Sequence, residues 1–410
     1  MSTHFQGKDT APRAIDLFAG CGGLTEGLMR GGFRVTHAYE KEAMARTTYH
    51  LHHCEPHSIS LHADATQIRE DLSYGDVDLI AGGPPCQDFS HNAGETVYET
   101  EQNLLPFVMV EWANAHRPKI LLIENVEGMQ DSHKMTVDEL VDEIEDTGYR
   151  VRVMKLNAMK YGVPQARKRV FFVCIRNDIN PPNQWKPPIV CNEGQRSLAE
   201  FGDRNDTVDY MTSSEALESL PEPLDASHPA DDPIHHTLGG RGDIESNRCT
   251  NHRVDPLSLS KPIKRGGKEV WMPTNHKKAD HSRETQEKMA TRELGRNKEP
   301  TTSRRLDPDK PAPTMTISNG TPPIHYAGRC PSHPERDVNK VRRMTVREVA
   351  RIQGFRDEFT FAGTKTQQFQ QVANAVPPKL GHSIALHLRR NVLRLDNNKQ
   401  AKASSNKKRV

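Results

Sequence analysis

The run Ala14-Ile15-Asp16-Leu17-Phe18-Ala19-Gly20-Cys21-Gly22-Gly23-Leu24 decides the fold. Ala14–Phe18 is a short, mostly apolar stretch of the kind buried in a parallel sheet. A glycine loop follows, and a helical pattern starts at Leu24. Glycines at a strand-to-helix turn permit tight backbone and let a ligand approach a helix N-terminus. Outward from this unit, strands are expected at Arg34–Tyr39, Asp78–Ala81, Lys119–Ile123, Tyr149–Leu156 and Val170–Ile175. Helical patterns lie between them at Glu42–Leu51, Leu104–Ala115 and Val137–Thr147. That alternation predicts an α/β, doubly wound sheet with ligands at the strand ends. Glu40 closes the second strand, where a carboxylate can accept bonds from ribose hydroxyls, and Asp64 is expected to end the third, near an adenine amino group. These features imply a nucleoside-containing cofactor, with a dinucleotide as a fair rival.

Beyond Pro181 the pattern breaks. Residues 181–339 are rich in Pro, Gly, Asn, His and charge, too long a stretch for a loop inside a compact domain. They are expected to form a separate, irregular domain. Residues 14–180 and 340–395 would make the α/β domain, with helices at Thr345–Gln353 and Leu380–Leu395. Residues 1–13 and the basic tail 396–410 are expected to be disordered. The net charge of +2 carries little, but its distribution does: Phe201–His236 is acidic, whereas basic residues outnumber acidic ones from Arg241 to Lys310. Such blocks suit either a solvated surface or a phosphate-contacting face.

No apolar run could span a bilayer, and the N-terminus lacks a secretory signal, so no membrane partner is expected. The seven cysteines are scattered without a Cys-x-x-Cys pair. Neither a disulfide framework nor a metal site is suggested, and a reducing, cytoplasmic compartment fits.

Three segments carry chemistry. Gly82-Gly83-Pro84-Pro85-Cys86-Gln87-Asp88-Phe89-Ser90 directly follows a strand, and its prolines restrict where the Cys86 thiol points. A lone cysteine is usually an inert small hydrophobe, but one on the ligand edge of a sheet is a candidate for activation. Glu124-Asn125-Val126 puts a carboxylate at the same edge. Gln165-Ala166-Arg167-Lys168-Arg169 precedes the next strand, and its two arginines should share a face. Standing alone, the acid would read as a solvated acid or a helix cap and the arginines as surface.

Together with Phe18–Gly23, and in this order and spacing, these segments resemble the DNA cytosine-5 methyltransferases. Arg342-Arg343-Met344-Thr345-Val346-Arg347-Glu348, Ile352-Gln353-Gly354-Phe355 and Gln371-Val372-Ala373-Asn374-Ala375-Val376-Pro377-Pro378 extend the match, as does the weaker Arg305–Thr314. The resemblance implies a Rossmann-like class I S-adenosylmethionine-dependent methyltransferase sheet, with 181–339 as a smaller, irregular target recognition domain. It implies Cys86 as the nucleophile toward cytosine C6, Glu124 at N3 and the exocyclic amine, Arg169 at O2, and Arg167 beside the nucleophile and the DNA backbone. Cationic neighbours of this kind also lower a thiol pKa. For S-adenosyl-L-methionine it implies Phe18 on the adenosine, Gly20 and Gly23 under the methionine end and Glu40 on the ribose. Asp64 and Leu104 would border the adenine, with Pro85, Asn374, Ala375 and Val376 completing the site. Lys41 stands where members often carry Trp, so an aromatic wall of the adenine pocket would be absent or come from elsewhere.

The implied partner is double-stranded DNA, with the target base flipped out of the stack and Asp88–Asn103 closing over it. A monomer paired with a restriction endonuclease is the expected setting. Two alternatives stand beside this reading: a transfer-RNA cytosine-5 methyltransferase on the same fold, and a catalytically silent DNA-binding relative. The first usually carries a Cys-Phe-Thr segment absent here, and intact Cys86, Glu124 and Arg169 oppose the second.

Overall fold

A computed structural model describes residues 11–68, 76–85, 105–127, 134–179, 210–227, 262–265, 268–271, 273–295, 304–317 and 321–395. Cys86, Leu104 and the expected loop Asp88–Asn103 lie outside the described residues, as do 1–10 and 396–410. The strands are β1 (Arg13–Leu17), β2 (Arg34–Tyr39), β3 (Ser60–His62), β4 (Leu79–Gly82), β5 (Ile120–Val126), β6 (Tyr149–Asn157), β7 (Gln165–Ala166), β8 (Lys168–Arg176), β9 (Pro262–Arg265), β10 (Lys268–Trp271) and β11 (Ala312–Pro313). The principal helices are α1 (Gly23–Arg30), α2 (Ala43–Tyr49), α3 (Leu105–His116), α4 (Lys134–Asp146), α5 (Ser213–Leu217), α6 (Arg283–Ala290), α7 (Val346–Gln353), α8 (Lys365–Asn374) and α9 (Pro378–His387).

Seven strands form one sheet in the order β3-β2-β1-β4-β5-β8-β6. β1, β2, β3, β4 and β5 are mutually parallel, while β8 runs antiparallel to both β5 and β6. β4 and the Ile120–Ile123 part of β5 are buried throughout, because helices cover both faces of the sheet. Alternate residues feed two cores. Ala14, Leu79, Ala81, Ile120 and Leu122 pack with Leu24, Leu28, Leu380 and Ile384 on one face. Ile15, Leu17, Ile80, Leu121 and Ile123 pack with Met109, Trp112, Leu140 and Ile144 on the other. Between β1 and β4 the strand order reverses, which opens a crevice at their carboxyl ends. The glycine loop leaves β1 there, and the Gly83-Pro84-Pro85 segment leaves β4.

α1 lies directly on α9. A Cβ on Gly27 would sit 2.7 Å from the Gly381 carbonyl carbon and the His382 nitrogen, both backbone atoms. Gly27→Ala should therefore force the helices apart and lower unfolding stability by about 1–3 kcal/mol, measured by denaturant titration. An unchanged midpoint would show that the helix pair can absorb a methyl group.

The structure corrects several expectations. α2 and α9 end earlier than expected and run on as π-helical turns, His50–Cys54 and Leu388–Val392. β3 ends at His62, so Asp64 lies beyond it. Residues 181–339 are not wholly irregular, since α5, α6, the β9–β10 hairpin and β11 fall within them. α5 is held by a capping box between Thr212 and Glu215, a local signal in a polar segment. Leu217, Leu306, Ala312 and Met315 pack in one core with Met344, Val349, Ile352 and Phe369. No described helix is long and apolar enough to cross a membrane.

Candidate active site

At the crevice, the glycine loop is held by unusual backbone. Phe18 has φ +54° and Gly20 φ +57°, and Gly22 lies in the same left-handed region at φ +95°. For a half-buried aromatic such as Phe18 that conformation is strained, and it persists only where surroundings impose it. Glu40, at the end of β2, supplies part of that imposition. Its Oε2 accepts from Gly20 N at 2.7 Å and its Oε1 from Glu42 N at 2.7 Å. Burial raises the Glu40 carboxyl above its ordinary range, and the two backbone donors pull it back.

A Cβ on Gly20 would meet nothing within 4 Å, so the space above it is open. Gly23 is closed instead: a Cβ there would lie 2.4 Å from the Val376 carbonyl oxygen and 3.1 Å from the Ala375 methyl. The chain end thus returns to the glycine loop, bringing Asn374, at the end of α8, with Ala375 and Val376. Cys21 Sγ also reaches the Gln371 carbonyl at 3.6 Å. Burial pushes the Cys21 thiol up to about 12, which keeps it protonated and unreactive.

Beneath the loop lies a group missed by the sequence reading. Asp16 is fully buried in β1, and Thr25 Oγ1 donates to its Oδ2 at 2.5 Å. With that proton committed, the Tyr49 hydroxyl donates to Thr25 at 2.8 Å. Burial raises the Asp16 carboxyl to about 7. The available signal was a lone acid inside an apolar strand. Asp64, by contrast, caps a turn, its Oδ1 accepting from Thr66 N at 2.9 Å and Thr66 Oγ1 at 2.8 Å.

A second cluster forms where β4, β5 and β8 meet. Glu124 and Asn125 near the end of β5 pair in register with Phe171 and Val170 of β8, which places Arg169 opposite Val126. Arg169 Nε lies 3.0 Å from Glu124 Oε1 as an ion pair, although the approach misses hydrogen-bond geometry and leaves Oε1 without one. Arg167 is 1% exposed, and its charge also acts on Glu124. Burial nevertheless outweighs both guanidiniums and raises the Glu124 carboxyl above its ordinary range. The same burial holds Arg167 well below its usual value and lowers Arg169 despite the neighbouring carboxylate. A Cβ on Gly83 would lie 2.9 Å from Glu124 Oε2, so the acid sits over the segment that leads into Cys86. Pro84 is buried there and Pro85 exposed. Among the described residues no cluster of His, Cys, Asp and Glu could hold a metal ion.

A glycine cradle at the strand-order reversal, with a buried acid–arginine cluster on the neighbouring strands, defines an α/β methyltransferase of the Rossmann-like class. Residues 13–390 match the family described as C-5 cytosine-specific DNA methylase, and the chain belongs to that family. It is 31% identical to the Type II methyltransferase M.AgeI of Thalassovita gelatinovora, over 91% of this chain and 98% of the relative. To the Type II methyltransferase M.DdeI of Desulfomicrobium norvegicum it is 30% identical, over 90% of this chain and 87% of that one. The crystal structure of an E. coli prophage-encoded protein, classed as a DNA modification methyltransferase, superposes with a TM-score of 0.66 at 25% identity. It covers 94% of this chain and 100% of its own.

Family and fold imply S-adenosyl-L-methionine as the methyl source. The residues present fit such a group: the space above Gly20 is open, Glu40 stands beside it, and Ala375 and Val376 close the far side at Gly23.

Proposed function

We infer that this chain methylates C5 of a cytosine within a short duplex DNA sequence, through a covalent adduct between Cys86 and C6. The observation that carries the reading is the placement of Glu124, a carboxyl buried against two arginines and over the approach to Cys86, where burial raises it above its ordinary range. A carboxyl that burial makes a better proton carrier can donate a proton to cytosine N3, which makes C6 electrophilic. The Cys86 thiolate then adds at C6, and the ring electrons move to C5 as an enamine. Arg169, positioned by Glu124, would hold the base O2, and Arg167 supplies a second buried positive charge to the site. S-adenosyl-L-methionine, when bound, supplies an electrophilic methyl group. Phe18, Gly20, Glu40, Asp64, Pro85, Leu104, Asn374, Ala375 and Val376 would seat it, with Glu40 on the ribose. Loss of the C5 proton then expels Cys86 and restores the aromatic ring.

The target cytosine must leave the helix to reach a site this enclosed, at a cost of a few kcal/mol. In this reading residues 181–339 select the DNA sequence, and the methylated sites are protected from a partner restriction endonuclease, as in the Type II systems of the relatives. The enzyme would work as a monomer in the cytoplasm. Tritium transfer from labelled S-adenosylmethionine tests the substrate directly. Label should enter duplex DNA at cytosine and leave transfer RNA unlabelled. Transfer to transfer RNA alone would replace this reading with the RNA-modifying one.

A further inference from the structure

Four elements far apart in the chain meet through two buried glutamines. Gln165 of β7 and Gln353 at the end of α7 are both 0% exposed. Met315 N donates to Gln165 Oε1 at 3.1 Å, and Gln165 Nε2 donates to Gln353 Oε1 at 2.6 Å. Gln353 Nε2 in turn donates to the Ala375 carbonyl at 2.6 Å. A side chain amide can usually be turned either way, but here both ends of the chain have fixed polarity. The Met315 N–H can only donate and the Ala375 carbonyl can only accept. One orientation of both amides therefore satisfies every contact, and reversing either sets acceptor against acceptor.

What the chain connects is specific. Met315 follows β11, which pairs in parallel with β7 at Ala312–Gln165 and Pro313–Ala166. Thr314 Oγ1 also donates to the Ala166 carbonyl at 3.0 Å, so this segment rides on the strand that leads into Arg167 and Arg169. It also lies within the expected recognition region, residues 181–339. At the other end, Ala375 and Val376 close on Gly23 of the glycine loop, and the Phe355 ring, just past Gln353, approaches the same glycine.

We propose that Gln165 and Gln353 are positioning residues, whose amide relay sets the segment Asn374–Val376 against the glycine loop according to how residues 312–315 are seated. This rests on the cofactor site inferred above. Neither glutamine need touch cofactor or base. Their work is to make the 312–315 segment of the recognition region, the strand entering the arginines, and the closing segment one hydrogen-bonded unit. A buried polar chain is stabilising only when every member is satisfied, so a break at one end is felt at the other.

Gln165→Glu tests this at a distance. The Met315 N–H keeps an acceptor, but the carboxylate faces Gln353 Oε1. If Gln353 turns to relieve that contact, its oxygen faces the Ala375 carbonyl. At pH 8, S-adenosylmethionine measured by calorimetry should bind about tenfold more weakly or worse, as a stranded buried acceptor implies. As pH falls and the new carboxyl gains a proton, its O–H can donate to Gln353. The deficit relative to wild type at the same pH should then close. In the cofactor-free protein, amide hydrogen exchange at Ala375 and Val376 should be faster in the variant and recover over the same pH range. A packing defect alone would not recover. Should Gln165→Glu fail to fold, Gln353→Glu is read in the same two ways, since its carboxylate meets the Ala375 carbonyl. Exchange at Ala375 and Val376 that is unchanged, or changed equally at all pH values, overturns the relay. Wild-type protein that does not bind S-adenosylmethionine would overturn the cofactor site, while the exchange measurement still judges the relay.

Discussion

Cys86→Ala is expected to abolish covalent capture of duplex DNA containing 5-fluorocytosine, and to abolish methyl transfer with it. Fluorine at C5 cannot leave as a proton, so an enzyme that has added its thiolate at C6 and delivered the methyl group stays attached. The wild-type protein should give a denaturation-resistant complex with such DNA in the presence of S-adenosylmethionine. The alanine variant should bind the same duplex without forming it. No other described cysteine is a ready substitute, since Cys21, Cys54, Cys174 and Cys330 are all buried. Burial drives the Cys21 and Cys174 thiols further from ionisation. Capture by the alanine variant would remove Cys86 from the mechanism.

Glu124→Gln should reduce turnover by about 10²–10⁴-fold, the range for a lost general acid or base, and change cofactor affinity little. The pH dependence gives an independent check. Burial raises the Glu124 carboxyl, so the protonated, donating form is present below that raised pKa and is lost as pH rises through it. Single-turnover methylation limited by this group should therefore decline on the alkaline side, and the glutamine variant should lack that limb. Glutamine also leaves the Arg169 guanidinium, 11% exposed at its side chain, beside a neutral amide in a buried site. Some loss of base positioning is expected on top of the lost proton. A defect confined to cofactor binding would instead make Glu124 a strand-end acid with no part in the chemistry.

Much of the candidate site was legible because its signals are local. The glycine loop, Glu40 and Glu124 each lie at the end of an apolar strand, and side chains there project to one edge of the sheet. Arg167 and Arg169 were legible as a pair, but not their convergence on Glu124. That depends on β8 lying antiparallel beside β5, between it and β6. A run of apolar residues specifies a buried strand and says nothing about which neighbour it pairs with.

α8 went unread for a different reason. Its sequence, Lys365-Thr366-Gln367-Gln368-Phe369-Gln370-Gln371-Val372-Ala373-Asn374, has few apolar positions to show a helical period. A capping box at Thr364 and Gln367, together with burial of Phe369 and Val372, holds it. Asp16 was passed over because its one hydrogen bond comes from Thr25, which Tyr49 of a different helix bonds in turn.

Local sequence thus specified the alternation of strands and helices and the residue types gathered at the strand ends. Those follow from side-chain periodicity and backbone preference, which act over a few residues. Tertiary structure alone decided the partners: Arg169 against Glu124, Val376 over Gly23, and Gln165 joined to Gln353 across 188 residues of chain. Each of these depends on closing a long loop and excluding water from polar groups, and neither cost is visible in any local stretch of sequence.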